Sequence, residues 1–192
     1  MTSLTPEMMI QAYAQGLFPM AEPDEDDQLY WCRPQRRAIL PIGEFHISRR
    51  MARTLRSGRF ETVLDSGFES VIRACADREE TWLSEEIITV FLALHRAGLA
   101  HSISVFEEGR LVGGVYGLAM ARAFFAESMF HTARDASKVA LIRLVEWLQE
   151  AGYVLLDVQF ITDHLRQFGA FEVDESEYER LLYQATAEIR FD

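Results

Sequence analysis

The stretch that most constrains this chain runs from Phe124 to Gln159, FFAESMFHTARDASKVALIRLVEWLQEAGYVLLDVQ. An apolar run ending in Glu127 and Ser128 reads as a strand. Asp135 stands at the start of a helix whose apolar positions Val139, Leu141, Ile142, Val145 and Leu148 recur at helical spacing, and Gly152 closes it. A second apolar strand, Tyr153–Phe160, follows. Strand, helix and strand in that order call for a crossover packed on a sheet. The second strand carries two polar residues, Asp157 and Gln159, two apart and therefore on one face, while Leu156 and Val158 point into a core. Burying two polar groups bare costs roughly 1–3 kcal/mol each, so they require partners or a ligand.

The flanking segments extend the unit. A helix is expected from Thr5, with Pro6 at its first position, to a stop at Gly16. The acidic, turn-rich segment FPMAEPDEDDQLYWCRP reads as an exposed connection. A strand at Ala38–Ile42 precedes a basic helix near Ser48–Ser57, with Ser48 as its cap. Strand Phe60–Leu64 and helices Phe68–Ala76 and Ser84–Ala97 come next. A meander follows, His101–Glu107, Leu111–Met120 and Arg122–Met129, in which Gly113 and Gly114 mark a bulge or a close backbone approach. After the crossover come a short helix near Asp163, an edge strand at Phe171–Val173 and a last helix from Ser176 to Ile189. The order defines an α/β (α+β) chain with a mixed, mainly antiparallel sheet, and it matches the GNAT-like acyltransferase architecture. Residues 1–62 are expected as a small N-terminal lobe and 63–192 as the catalytic domain.

A 49% hydrophobic composition supports a sizeable core. No window approaches 18 unbroken apolar residues and no basic leader segment is present, so a cytoplasmic protein with no membrane span is expected. Cys32 and Cys75 are far apart and fit a reducing compartment. The net charge of −11 argues against nucleic acid only until its distribution is read. Residues 33–59 hold eight arginines against Glu44 alone, and no lysine. Such a run is either a solvated face or an anion site, and arginine suits phosphate. Arg49, Arg53 and Arg56 fall at helical spacing and share a face.

Several motifs coincide in one order: LTPEMMIQAYAQGLFP, RRAILP, FHISRR, DREETWLS, LHRAGLAHSISV, LVGGVYG, FFAESMF, DASKVAL and LLDVQFITDHLRQFGA. Together they resemble the leucyl/phenylalanyl-tRNA–protein transferase family, from about Leu4 to Val173. The resemblance implies an enzyme that moves leucine or phenylalanine, with methionine as a third candidate, from aminoacyl-tRNA to the α-amino group of proteins beginning with arginine or lysine. That transfer marks them for degradation by the N-end rule route. It also implies that Asp157 and Gln159 carry the chemistry, with Glu127 meeting the acceptor's basic residue or the terminal ribose. Val115, Phe124, Leu144 and Leu155 are expected as walls of an apolar pocket for the amino-acid side chain, with Ser128 beside it. Trp82 would stack on the 3′ adenine and Met20 would lie near the tRNA terminus. Arg37, Arg49, Arg50, Arg53 and Arg56 would hold the acceptor stem by phosphate. Departures from the family pattern, FPM for FPW, Val115 for a methionine, Ala126 for a glycine and WLS for WIT, touch pocket shape and stacking only.

The donor is an activated ester, so no cofactor, metal or ATP is required. A neutral amide accepts protons poorly, which casts Gln159 as a positioner of the amine. Asp157 either orients Gln159 and offsets ammonium charge or takes the proton, and the ribose hydroxyl serves equally well as a shuttle. The histidines show no metal-ligand spacing, and His131 and His164 are left without a role. Two rivals remain. An acyl-CoA-dependent N-acyltransferase would need a glycine-rich phosphate turn where this chain has HTARDASK, and a non-catalytic RNA- or peptide-binding module would leave the buried carboxylate–amide pair without a purpose.

Overall fold

The computed structural model describes residues 4–22, 28–77 and 83–187. Helix α1, Pro6–Ala14, is capped by Thr5, whose side chain accepts from the N–H of Met8, and ends before Gly16 in the left-handed region. The acidic segment after it is not a bare connection. Strands β1, Phe18–Glu22, and β2, Gln28–Cys32, pair antiparallel. The proline in β1 and the turn-forming residues between the strands masked this hairpin in the sequence.

Strand β3, Arg36–Ile39, leads to α2, Arg49–Arg56, capped by Ser48, then β4, Glu61–Leu64, α3, Phe68–Ala76, and α4, Glu85–Arg96, capped by Ser84. The meander is β5, Ala100–Glu107, β6, Arg110–Met120, and β7, Ala123–His131. Crossover helix α5, Ala136–Glu150, joins β7 to β8, Leu155–Gln159. The short α6, Asp163–Arg166, edge strand β9, Phe171–Asp174, and α7, Glu175–Thr186, complete the described chain. No helix among the described residues is long and apolar enough to cross a membrane.

The second sheet has seven strands in the order β4-β5-β6-β7-β8-β3-β9, and only β7 with β8 is parallel. The expected crossover is therefore present, with the expected apolar stripe of α5 buried on the sheet. One feature was not legible. Strand β3 sits between β8 and β9, which places the Arg36–Ile39 segment beside Asp157. A division at residue 62 passes through β4, and β3, from upstream of it, lies inside the same sheet.

Gly113 answers to close approach: a Cβ there would lie 2.7 Å from the Cβ of Ala136, the first residue of α5. A bulge lies beside it too: pairing with β5 passes from Gly113 to Leu111 and skips Val112, and a second irregularity toward β7 falls between Tyr116 and Gly117. Asp135 occupies the N-cap position of α5, but it is left-handed and its carboxylate makes no cap bond. It accepts instead from Arg50, at 2.8 and 3.0 Å. Two apolar clusters flank the sheet, one including side chains of α1, α3, α4 and α7, the other including those of α2 and α5.

Candidate active site

Pairing between β7 and β8 stops at Phe125 opposite Asp157. Two residues further along each strand, side chains take over from the backbone. Gln159 Nε2 donates to Glu127 Oε1 at 3.0 Å, and the hydroxyl of Tyr13, from α1, donates to the same oxygen at 2.6 Å. Glu127 lies against a cavity of about 900 Å³ that opens where the strands part. Val115, Ala126, Ser128, Met129, Val158 and Phe160 contribute walls, and His131, Ser137 and His164 give it a polar end. Ser137 Oγ lies 3.3 Å from His131 Nδ1, while burial, then Lys138 and His131, hold His164 below the usual imidazole range.

Asp157 is withdrawn from this cavity. It is fully buried and accepts from Arg37 Nε at 2.9 Å to each oxygen, from Arg37 Nη2 at 2.7 Å and from the Tyr178 hydroxyl at 2.6 Å. The backbone N–H of Gln159 donates to Asp157 Oδ1 at 2.8 Å. Gln159 itself is left-handed, φ 61°. Arg37 is 2% exposed and lies over the rings of Phe18 and Tyr178, at 4.4 and 4.7 Å. Burial, the largest single influence, opposes its charge, but the charge and hydrogen bonds of Asp157, joined by Tyr178 and Tyr13, leave its pKa raised.

These distances redistribute the expected roles. Arg37 does not share the exposure of the other arginines expected to hold phosphate. It occupies an inward position of β3, and its charge is balanced by Asp157. Phe124, Leu144 and Leu155 are not cavity walls: each is core. Phe124 packs edge-on against Trp147 and Tyr153, Leu144 lies on the buried side of α5, and Leu155 belongs to the opposite cluster, which includes α1 and α7 side chains. Val115 and Ser128 do line the cavity. Met20, on β1, packs against the first cluster, 3.5 Å from the Tyr30 hydroxyl, and is not a wall. Trp82 lies outside the described residues.

Arg49, Arg50, Arg53 and Arg56 are exposed on α2, and of these only Arg50 forms an ion pair among the described residues. Sequence patterning does not single out Tyr13 and Tyr178. Their only sequence signal is a place in the buried stripes of α1 and α7, beside Met9 and Ala12 in one and Leu182 and Ala185 in the other.

Burial pushes the Glu127 carboxyl up to about 7. The hydrogen bonds from Tyr13 and Gln159 pull it down, the charge of Asp157 adds to the rise and Arg37 opposes it. Its Oε2 has no partner among the described residues. The folded state then binds more protons than the unfolded chain between about pH 4.5 and 7, so this group's contribution is complete at low pH and lost as pH rises through 7. The loss is roughly 3 kcal/mol for a shift of this size. Glu127→Gln removes it: urea melts at pH 5 and pH 8 will show the variant gaining about that much relative to wild type at the higher pH. Identical pH profiles for the two proteins would mean that Glu127 titrates as an ordinary carboxylate.

A three-stranded meander, a crossover helix and a parallel pair that parts at a cavity define a GNAT-like acyltransferase fold. Two solved structures share it, L-PGS from Bacillus licheniformis and FemX, with TM-scores of 0.51 and 0.54 at 13% and 11% identity. They cover 95% and 92% of this chain and 71% and 69% of their own. Sequence comparison is narrower. A model described as leucyl/phenylalanyl-tRNA protein transferase matches residues 39–183, and one for the N-terminal domain of that protein matches residues 2–35. The chain belongs to this family. Relatives of that name from Rubrobacter xylanophilus and Paramagnetospirillum magneticum are 55% and 50% identical, over 95% and 98% of this chain and 95% and 92% of theirs.

Proposed function

We propose that this chain moves leucine or phenylalanine from aminoacyl-tRNA to the α-amino group of proteins beginning with arginine or lysine, so marking them for N-end rule degradation in the cytoplasm, where charged tRNA is found. The observation that carries this reading is the Gln159–Glu127 pair where β7 and β8 part. With Nε2 held by Glu127, the amide oxygen of Gln159 is left to accept from an incoming amine. The amine nitrogen attacks the ester carbonyl, the carbon–nitrogen bond forms and the bond to the ribose oxygen breaks. One proton passes from the nitrogen to that leaving oxygen, through the neighbouring ribose hydroxyl or through Glu127, whose carboxyl near 7 is matched to such a task. Asp157 orients Gln159 and takes no proton. Alignment supplies several kcal/mol of the acceleration.

An acyl-CoA donor is disfavoured by Asp135, whose carboxylate stands at the start of α5 and is tied to Arg50 where a pyrophosphate would need free N–H groups. The test is transfer of labelled phenylalanine from charged tRNA to a peptide beginning with arginine. RNase will abolish it; activity that survives RNase and follows added acyl-CoA would overturn the reading.

On the RNA side, replacing Arg49 and Arg53 by glutamine will flatten the slope of log affinity for tRNA against log salt by roughly 1.5, two phosphate contacts at about 0.7–0.9 each. An unchanged slope would move the footprint off α2.

A further inference from the structure

Every acceptor position on Asp157 is taken. Oδ1 faces Arg37 Nε and the Gln159 N–H; Oδ2 faces Arg37 Nε and Nη2 and the Tyr178 hydroxyl. A carboxylate filled in this way has no lone pair for a substrate proton, and its charge is cancelled by the guanidinium. What it does do is hold the next residue but one. A left-handed residue other than glycine costs on the order of 1–3 kcal/mol and persists only where its surroundings fix it. At Gln159 the fixing bond comes from Asp157 Oδ1, and the turn brings the amide to Glu127.

Asp157 is held in its turn. Arg37 Nη1 donates to the carbonyl of Gly16 at 3.2 Å, and the guanidinium packs against the Phe18 and Tyr178 rings. Gly16 is needed for more than its φ of +76°, because a Cβ there would stand 3.1 Å from the Tyr178 ring.

We propose that Arg37 and Tyr178 are positioning residues for the transfer reaction, acting through Asp157 on the backbone of Gln159 and so on the direction of its amide. The proposal rests on the transfer reading given above. Neither residue reaches the cavity walls. Arg37 fixes the plane of the carboxylate with its fork, and Tyr178 supplies, among the described residues, the one donor that comes from outside the sheet. Burial, and then the charge of Asp157, keep the Tyr178 phenol protonated as that donor.

Tyr178→Phe deletes the hydroxyl and keeps the ring on the guanidinium. Its kcat for phenylalanine transfer will fall about tenfold, the equivalent of one hydrogen bond, with KM for charged tRNA within about twofold of wild type. Amide hydrogen exchange at Gln159 will quicken by about the same factor, while Leu155 and Leu156 of the same strand keep their wild-type rates. Arg37→Lys, which keeps the charge and loses the fork, will move both readouts further in the same direction.

Unchanged kcat and unchanged Gln159 exchange in Tyr178→Phe would overturn the proposal. So would exchange that quickens uniformly along β8, the mark of a merely structural role. If the wild type itself transfers nothing from tRNA, the transfer reading falls, and the exchange pattern still decides whether Arg37 and Tyr178 fix Gln159.

Discussion

Asp157→Ala will lower the stability of this protein by roughly 3–5 kcal/mol, the loss that follows when one partner of a buried ion pair is removed. The magnitude comes from what is left behind. Arg37 would remain 2% exposed with its positive charge unmatched, and Tyr178 and the Gln159 N–H would each lose their acceptor. Urea unfolding measures this directly. A loss under about 1 kcal/mol would mean that water or a rearrangement reaches Arg37 and that the pair is not closed. A companion variant separates charge from shape. Asp157→Leu combined with Arg37→Met removes both charges at similar volume, and such exchanges are often neutral or stabilising. The double variant will therefore recover most of the stability of the wild type and still transfer nothing, because nothing fixes the Gln159 backbone.

The second large effect is expected at Gln159 and has the opposite profile. Gln159→Asn keeps a residue that accepts the left-handed conformation at φ 61° readily, so the fold will hold or gain slightly. The side chain is shorter by one methylene and cannot span the 3.0 Å bond to Glu127 while presenting its oxygen to the amine. A displacement of about 1 Å at a reacting group costs on the order of 100-fold in rate. Steady-state transfer of labelled phenylalanine, with tRNA affinity measured beside it, checks the split. Wild-type turnover in Gln159→Asn would remove Gln159 from the reaction.

The parts of this site that were legible in sequence are those written within one segment. Glu127, Asp157 and Gln159 lie on two strands joined by one helix, so period-2 alternation and the crossover bring them near one another without further information. Arg37 was misjudged because charge composition grouped it with the arginines of α2. Its partner lies 120 residues away and is reached only because β3 enters the sheet next to β8, a pairing no local pattern announces. Tyr13 and Tyr178 looked like ordinary members of apolar stripes, since a stripe shows which side of a helix is buried and not what the hydroxyl meets. The pocket failed in a related way. Alternation assigned Phe124 and Leu155 to faces of the sheet, but which part of a face stays open depends on how the helices cover it. Helix α5 is buried around more of its circumference than one stripe suggests, and it closes over Phe124 with Leu144 on its own buried side.

The grip on Asp157 draws on segments on either side of it in the sequence: the carbonyl of Gly16 just after α1, and the hydroxyl of Tyr178 on α7. During synthesis, strand β8 leaves the ribosome before α7 does, so an unfinished chain holds Asp157 and Gln159 with one of their supports still untranslated. The Arg37–Asp157 contact, across 120 residues, also carries the larger loop-closure cost in folding. An unfinished copy lacks one of the bonds that hold Asp157, and through it the backbone of Gln159. The order around Gln159 therefore waits on α7, which is made after the strand it supports.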